Sequence, residues 1–167
     1  MNYDSFGALG EEFGKMARKT KAASAFAVKH GAEALARSAK SKMGTYQRNW
    51  PQLKESTQRE RTRLGFTAND PLFRSGQLQA AISAHAEGDT AFVGINAGDA
   101  TIKTAHGQDV DAALVMAVQE VGNENVPARP VFGTVVSDDL ERISDAVAIE
   151  TLARIGLISE EGAPPER

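Results

Sequence analysis

No cysteine occurs in the 167 residues. That excludes a disulfide framework and any thiolate metal site, and it suits folding in a reducing interior. Aromatic residues are scarce, with one Trp, two Tyr and seven Phe. Much of the core must then come from small and aliphatic side chains, and the plentiful alanine points to helices packed closely together. No apolar run approaches the ~18 residues of a membrane span. Met1-Asn2-Tyr3-Asp4-Ser5 lacks a basic flank leading into an apolar run, so a secretory signal is not expected. The expectation is a soluble protein without a membrane partner.

Catalytic constellations are missing too. His30, His85 and His106 are far apart and lack ligand spacing, so neither a metal nor a cofactor is expected. Ser83 and His85 lie close in sequence, but no glycine-framed nucleophile elbow surrounds the serine. No phosphate-cradling Gly-x-x-x-x-Gly-Lys loop or dinucleotide fingerprint appears. Asp138-Asp139 falls at a helix start and Glu160-Glu161 in a tail, where carboxylates complement a helix dipole or solvate the chain. An enzyme is not expected.

What the chain does have is charge polarity. Residues 1–63 hold 13 Lys/Arg against 6 Asp/Glu, a net +7; residues 64–167 hold 6 against 16, a net −10; together they give −3. Such a split bears on association rather than on fold. It fits either a solvated lysine-rich helix face or basic and acidic ends that meet across subunits.

Hydrophobic spacing predicts one long helix over Glu11–Met43, with Phe13, Met16, Ala17, Ala23, Phe26, Ala27, Ala34 and Leu35 on one stripe. At 1.5 Å per residue such a helix is ~45 Å long, enough for part of it to project and pack on another chain. Gly44 is its expected stop. Trp50 precedes a proline and should be extended. Ser56 or Thr57 should cap a charged helix ending at Arg63. Thr90-Ala91-Phe92-Val93-Gly94-Ile95 reads as a strand, and with the run ending at Ala86 it predicts a β-hairpin about Glu87-Gly88-Asp89. Residues 99–109 read as an exposed loop. Asp109 or Asp111 should cap a helix ending at Val121. Val126-Pro127-Ala128-Arg129-Pro130-Val131-Phe132 should be an extended strand or edge, because proline cannot donate to a ladder. Ser137 or Asp138 should cap a final helix to Ile155, stopped by Gly156. The fold class is therefore α+β: a long N-terminal helix, a small antiparallel sheet with a hairpin, and two further helices. One α+β domain should span 1–158, including a long helix over 1–44 with room to project, followed by a disordered acidic tail over 159–167.

In this order the pieces resemble a known family. After the long helix come Trp50-Pro51-Gln52-Leu53, a basic helix, and Leu-x-x-Ser-Gly-x-Leu-x-x-x-Ile from Leu72 to Ile82. A hairpin ending Val93-Gly94-Ile95 follows, then a helix closing in Gln119-Glu120-Val121-Gly122, the proline-framed segment and a last helix. Over residues 45–155 this resembles the neck and tail-completion proteins of tailed bacteriophages, also described as head–tail joining or virion-morphogenesis proteins. The chain departs at Ser75, where the pattern has threonine, at Val121, where it has an aromatic, and at Val131, which interrupts Arg-Pro-Phe. The resemblance implies a structural protein of the head–tail interface that forms a ring between connector and tail. Implied partners are copies of itself, portal, connector and adaptor proteins, and the tail terminator or tail-tube protein. The implied location is the virion neck or tail, after assembly in the host bacterial cytoplasm.

The residues themselves leave alternatives open. Arg129, framed by Pro127 and Pro130, suits either an intersubunit contact or an intrachain pin onto the final helix. Trp50 suits an interface anchor or a loop packed on its own core. Arg74, Gly76, Pro130 and Phe132 complete the candidate interface set, with Ser75-Gly76 expected to need positive φ. Arg48, Lys54, Arg59, Arg61 and Arg63 are the candidate DNA-facing cations. They support a second reading, a nucleic-acid-binding module over 48–63, and would also suit a ring lumen through which DNA passes.

Overall fold

The computed structural model describes residues 5–104 and 106–158. The tail expected to be disordered, residues 159–167, lies outside the described residues. The fold is α+β, as the hydrophobic pattern predicts.

Helix α1 runs Phe6–Lys42 and organises everything else. It opens on Ser5, whose Oγ accepts from the Ala8 N–H at 3.2 Å, and it closes with Lys40 and Lys42 against the negative end of the helix dipole. Gly44 follows at φ 92°, and its N–H donates to the Pro71 carbonyl at 2.8 Å. That left-handed geometry turns the chain away from the rod.

The buried stripe of α1 is Ala23, Ala32, Ala36 and Ala39. Small residues here let other elements lie against the helix backbone. Of the expected stripe, Phe13 and Met16 are instead 64% exposed, and Phe6 is 94% exposed. Helical spacing found the apolar side of the rod but could not tell that only its C-terminal part is covered. The reason is the reach of the last helix, α6 (Leu140–Ile155). It runs antiparallel to α1: Ser38 meets Asp139, a Cβ on Gly31 would lie 3.9 Å from Val147, and the Arg154 guanidinium sits 3.5 Å from the Phe26 ring centre. Sixteen residues end there, so roughly 25 Å of α1 extends beyond α6.

Helix α2 spans Glu55–Arg63 and begins from Lys54, without the expected Ser56 or Thr57 cap. Helix α3, Gln77–Ala81, occupies part of the stretch expected to lead into a strand. The hairpin is present: β1 (Ser83–Glu87) pairs antiparallel with β2 (Thr90–Gly94), His85 opposite Phe92, across a turn with Gly88 at φ 62°. It packs on α1. The loop expected over 99–109 is a second hairpin, β3 (Thr101–Lys103) with β4 (Asp109–Asp111), so the described residues form two separate two-stranded ladders. Strands of three residues are too short to show alternation in sequence. A cross-strand Lys103–Asp109 pair, 2.9 Å, closes this ladder.

Helix α4 (Ala112–Val121) starts from Asp111, whose carboxylate accepts from Ala113 N at 2.8 Å. The proline segment corrects a second expectation. It joins neither ladder: residues 126–130 lie outside any strand, Val131 and Phe132 already belong to helix α5 (Val131–Asp138), and α6 follows after Asp139. Gly156, φ 82°, ends α6 as expected. The core gathers at the C-terminal end of α1, from Ala36, Ala39, Met43, Trp50, Leu78, Ile82, Ala112, Met116, Val131 and Val135. Ile82 and Val131 are almost wholly enclosed, each side chain contributing about 1.5–3 kcal/mol through burial.

Candidate functional site

The proline segment is fastened at three points. Gly122 turns the chain out of α4 at φ 74° and ψ 174°. A Cβ there would lie 2.8 Å from the Ala128 nitrogen and 3.1 Å from the Val126 oxygen, so only glycine lets the returning segment come this close. Asn123 holds the loop by accepting from Asn125 N at 2.9 Å and Val126 N at 2.8 Å. The Arg129 N–H then donates to the Gln119 carbonyl at 2.7 Å.

The second fastening is the Arg129 side chain, 5% exposed. Its Nε and one terminal nitrogen both donate to the Pro51 carbonyl, at 3.1 and 2.9 Å, and the same nitrogen reaches the Gln52 carbonyl at 3.3 Å. The planar fork satisfies carbonyls that α-helical or sheet partners would otherwise take. Arg129 is thus an intrachain pin, as one alternative allowed, but it pins the segment after Trp50 rather than the final helix. Burial pulls its pKa below the ordinary guanidinium value. Little of it is left for a partner.

The third fastening is Glu120. Its carboxylate accepts from the N–H groups of Val131 (2.7 Å), Phe132 (3.2 Å) and Gly133 (2.7 Å), the free donors of the first turn of α5. Pro130, the N-cap, has no side-chain acceptor to offer, so a carboxylate from the preceding helix fills the role and meets the positive end of the dipole. Glu120 was not among the expected site residues. Its partner turn lies eleven positions on, beyond the reach of any local capping pattern.

Trp50 is 6% exposed and belongs to the core, so its ring has no free face with which to anchor another chain. Its Nε1 and the Gln119 Oε1 are buried without a hydrogen-bond partner. Phe132 is half-buried against the same core. Arg61, among the expected DNA-facing cations, is turned inward at 8% exposure and donates to the Asp70 carbonyl. Burial first, and then the nearby Arg74, lower its pKa. Arg48, Lys54, Arg59 and Arg63 are exposed, and only Arg59 has an ion pair among the described residues, 3.4 Å to Glu55. Arg74 donates to the Lys103 carbonyl and lies 5.5 Å from the Phe66 ring centre. Gly76 has the expected positive φ, 77°, and precedes α3, with Phe73 packed below it.

A further charged cluster joins the two ends of the chain's charge gradient. Lys42 of α1 meets Asp139 at 2.9 Å and Asp138 at 3.5 Å, and Ser38 Oγ donates to Asp139 at 2.7 Å. The Lys42 hydrogen bond, then that of Ser38, holds the Asp139 carboxyl below the ordinary range; Asp139 in turn raises Lys42. Basic and acidic ends meet here within one chain.

Arg129, Glu120, Arg61, Arg74, Gly122 and Asp139 each hold one segment of the protein to another, and no grouping of three metal-ligating side chains occurs among the described residues. The class so defined is a scaffold whose motif residues serve its shape. The chain belongs to the phage virion morphogenesis family, whose model matches residues 4–151. Comparison with curated proteins and with solved structures finds no match. Its role therefore lies in the structure or assembly of the phage virion.

Proposed function

We propose that this chain acts at the head–tail interface as a neck or tail-completion protein, assembling with its own copies as a ring between connector and tail. The observation that carries the reading is the uncovered end of α1. Phe6, Phe13 and Met16 stand in solvent, and a small protein gains nothing from exposing such a stripe unless another surface covers it. The stripe leads into an apolar groove floored by Ala27, Gly31 and Ala32 of α1 and walled by Val93 of the hairpin and Val147 and Leu152 of α6. Charge supports the same pairing. Arg18, Lys19 and Lys21 ride on the overhanging part of α1, while Glu87, Asp89, Glu141 and Asp145 lie on the hairpin and α6. A rod from one copy laid in the groove of the next is a head-to-tail contact, which closes into a ring when the rotation allows. Connector, adaptor and tail-tube proteins would meet the two faces of such a ring. The exposed Arg48, Lys54, Arg59 and Arg63 would suit a lumen that passes DNA.

The absence of cysteine supplies a clean test. Met16→Cys and Ala148→Cys in one chain are roughly 20 Å apart along the rod, too far to join within a molecule. Oxidation should give disulfide-linked oligomers, whereas exclusively monomeric products would refute the head-to-tail contact. Labelling of intact virions should place the chain where head joins tail; label along the tail shaft or capsid faces would refute the location.

A further inference from the structure

Beside the proline segment lies a cleft of about 590 Å³ between α2, α3, β3 and α4. Lys54, Arg61, Arg74, Lys103 and Arg129 line it, and no Asp or Glu does. Lys103 is paired with Asp109, and Asp70 stands near Arg61 without entering the lining. The remaining three guanidinium groups have no carboxylate bound among the described residues; each is held by backbone carbonyls. Arg74 and Arg129 both act on Arg61 as like charges. Gathering cations this closely is unfavourable unless an anion joins them. Gln119, which also lines the cleft, carries the buried Oε1 that lacks a partner.

We propose that this cleft receives the acidic segment Ser159–Glu166 of a second copy of the chain. The choice of a peptide over nucleic acid follows from the walls. Leu53, Ile102, Val115 and Val126 give an apolar lining suited to a peptide, and no aromatic ring is present on which a base could stack. A duplex is too broad for the space. Ser159–Glu166 brings Glu160, Glu161 and Glu166, three carboxylates close together in sequence. The half-buried Arg74 fork and the exposed Lys54 then meet carboxylates in charge-assisted pairs, while the enclosed Arg61 and Arg129 add their positive field from behind. The inference rests on the proposed self-assembly, and it gives the chain's basic and acidic parts a second meeting place, between copies.

The test is a titration of the full chain, carrying 15N-labelled arginine, with a synthetic peptide of residues 157–167. Saturable shifts of the Arg61, Arg74 and Arg129 side-chain signals are expected. A peptide with its three glutamates replaced by glutamine should bind about tenfold more weakly or worse. Lys54→Gln in the full chain should weaken binding similarly without moving the thermal midpoint, because this exposed side chain lines the cleft and has no ion pair among the described residues. Unmoved arginine signals, equal binding of the glutamine peptide, or tighter binding of a single-stranded oligonucleotide at these arginines would each overturn the proposal. A chain that self-associates while its arginine signals ignore the peptide sinks this inference alone. A monomeric chain that binds the peptide as expected sinks the ring and supports the cleft.

Discussion

The two ends of α1 live under different rules. Around Ala36, Ala39 and Met43 the helix is enclosed, and neighbouring charges are fixed by named partners: Arg129 by Pro51 and Gln52, Glu120 by the first turn of α5, Asp139 by Lys42 and Ser38. Around Phe6, Phe13 and Met16 the same helix carries large apolar residues that the other described residues leave open. The first region turns sequence into stability. The second holds apolar surface in reserve, and such surface is realised as binding energy only when another molecule covers it. Substitutions should therefore separate into two groups: those that lower the melting temperature and those that alter assembly while leaving the melting temperature alone.

The largest effect is expected at Gly122. Alanine there combines a positive φ with a backbone contact at 2.8 Å, and neither Ala128 nor Val126 can move without unfastening Arg129. Gly122→Ala should cost about 2–4 kcal/mol by chemical denaturation. A cost below about 0.5 kcal/mol would show that the loop has slack and that the body is less tightly fixed than the comparison holds. Arg129→Ala comes next. It removes three charge-assisted donations and leaves the Pro51 and Gln52 carbonyls without them, for about 2–3 kcal/mol. Tryptophan fluorescence should report the same transition, because Trp50 immediately precedes the pinned segment. Glu120→Ala frees the first turn of α5 and should cost about 1–2 kcal/mol, with Glu120→Gln recovering part of it.

Asp139 sharpens the contrast through pH. Its carboxyl is held below the ordinary range in the folded chain, so its contribution is present above the unfolded value near ~3.9 and drains away as pH falls through the folded value. Lys42 has the opposite sign. Its pKa is raised, so its contribution is lost only as pH climbs beyond the ordinary lysine range. Between these limits the pair should be insensitive to pH. Asp139→Asn should cost about 1 kcal/mol at neutral pH and remove part of the acid dependence below about pH 4. An unchanged acid limb would assign that limb to other carboxylates.

The body was the more legible of the two regions in sequence, and for a physical reason. Local signals act over three or four residues, and they located α1, the β1–β2 hairpin, the Asp111 cap and the stop at Gly156. They failed where the decisive partner is distant. Glu120 caps a helix eleven residues away, so Val131-Phe132 looked like strand continuing from two prolines. Arg61 had the composition of a solvated helix face, yet one turn of α2 rotates it onto Asp70. Asp139 looked like an ordinary helix-start carboxylate, but it is occupied by Ser38, 101 positions earlier. The exposed half of α1 was read as core because periodicity reports which side is apolar and is silent about what covers it. The order of motifs nonetheless identified the family, since those motifs are the fastenings of the body.

The smallest expected change in stability is also the sharpest discriminator. Phe13 and Met16 lie beyond the reach of α6 and are largely in solvent, so Phe13→Ser with Met16→Ser removes almost no intramolecular burial. Each should shift stability by no more than about 0.5 kcal/mol, with serine's weaker helix propensity the main term. Helical content should stay the same because residues 23–39 remain clamped. Mass measurements over a concentration series should show the wild-type chain associating and the double variant staying monomeric, and the variant should fail to complement a phage lacking the chain. The charge on the same overhang gives a graded version. Arg18, Lys19 and Lys21 changed to glutamine should weaken association most at low salt, because exposed charges more than a Debye length of about 10 Å apart are screened at 0.1 M. If the serine variant instead melts well below the wild type, the overhang is packed in solution. The distinction between a locked body and a rod left open for a neighbour then fails at the point where it was drawn.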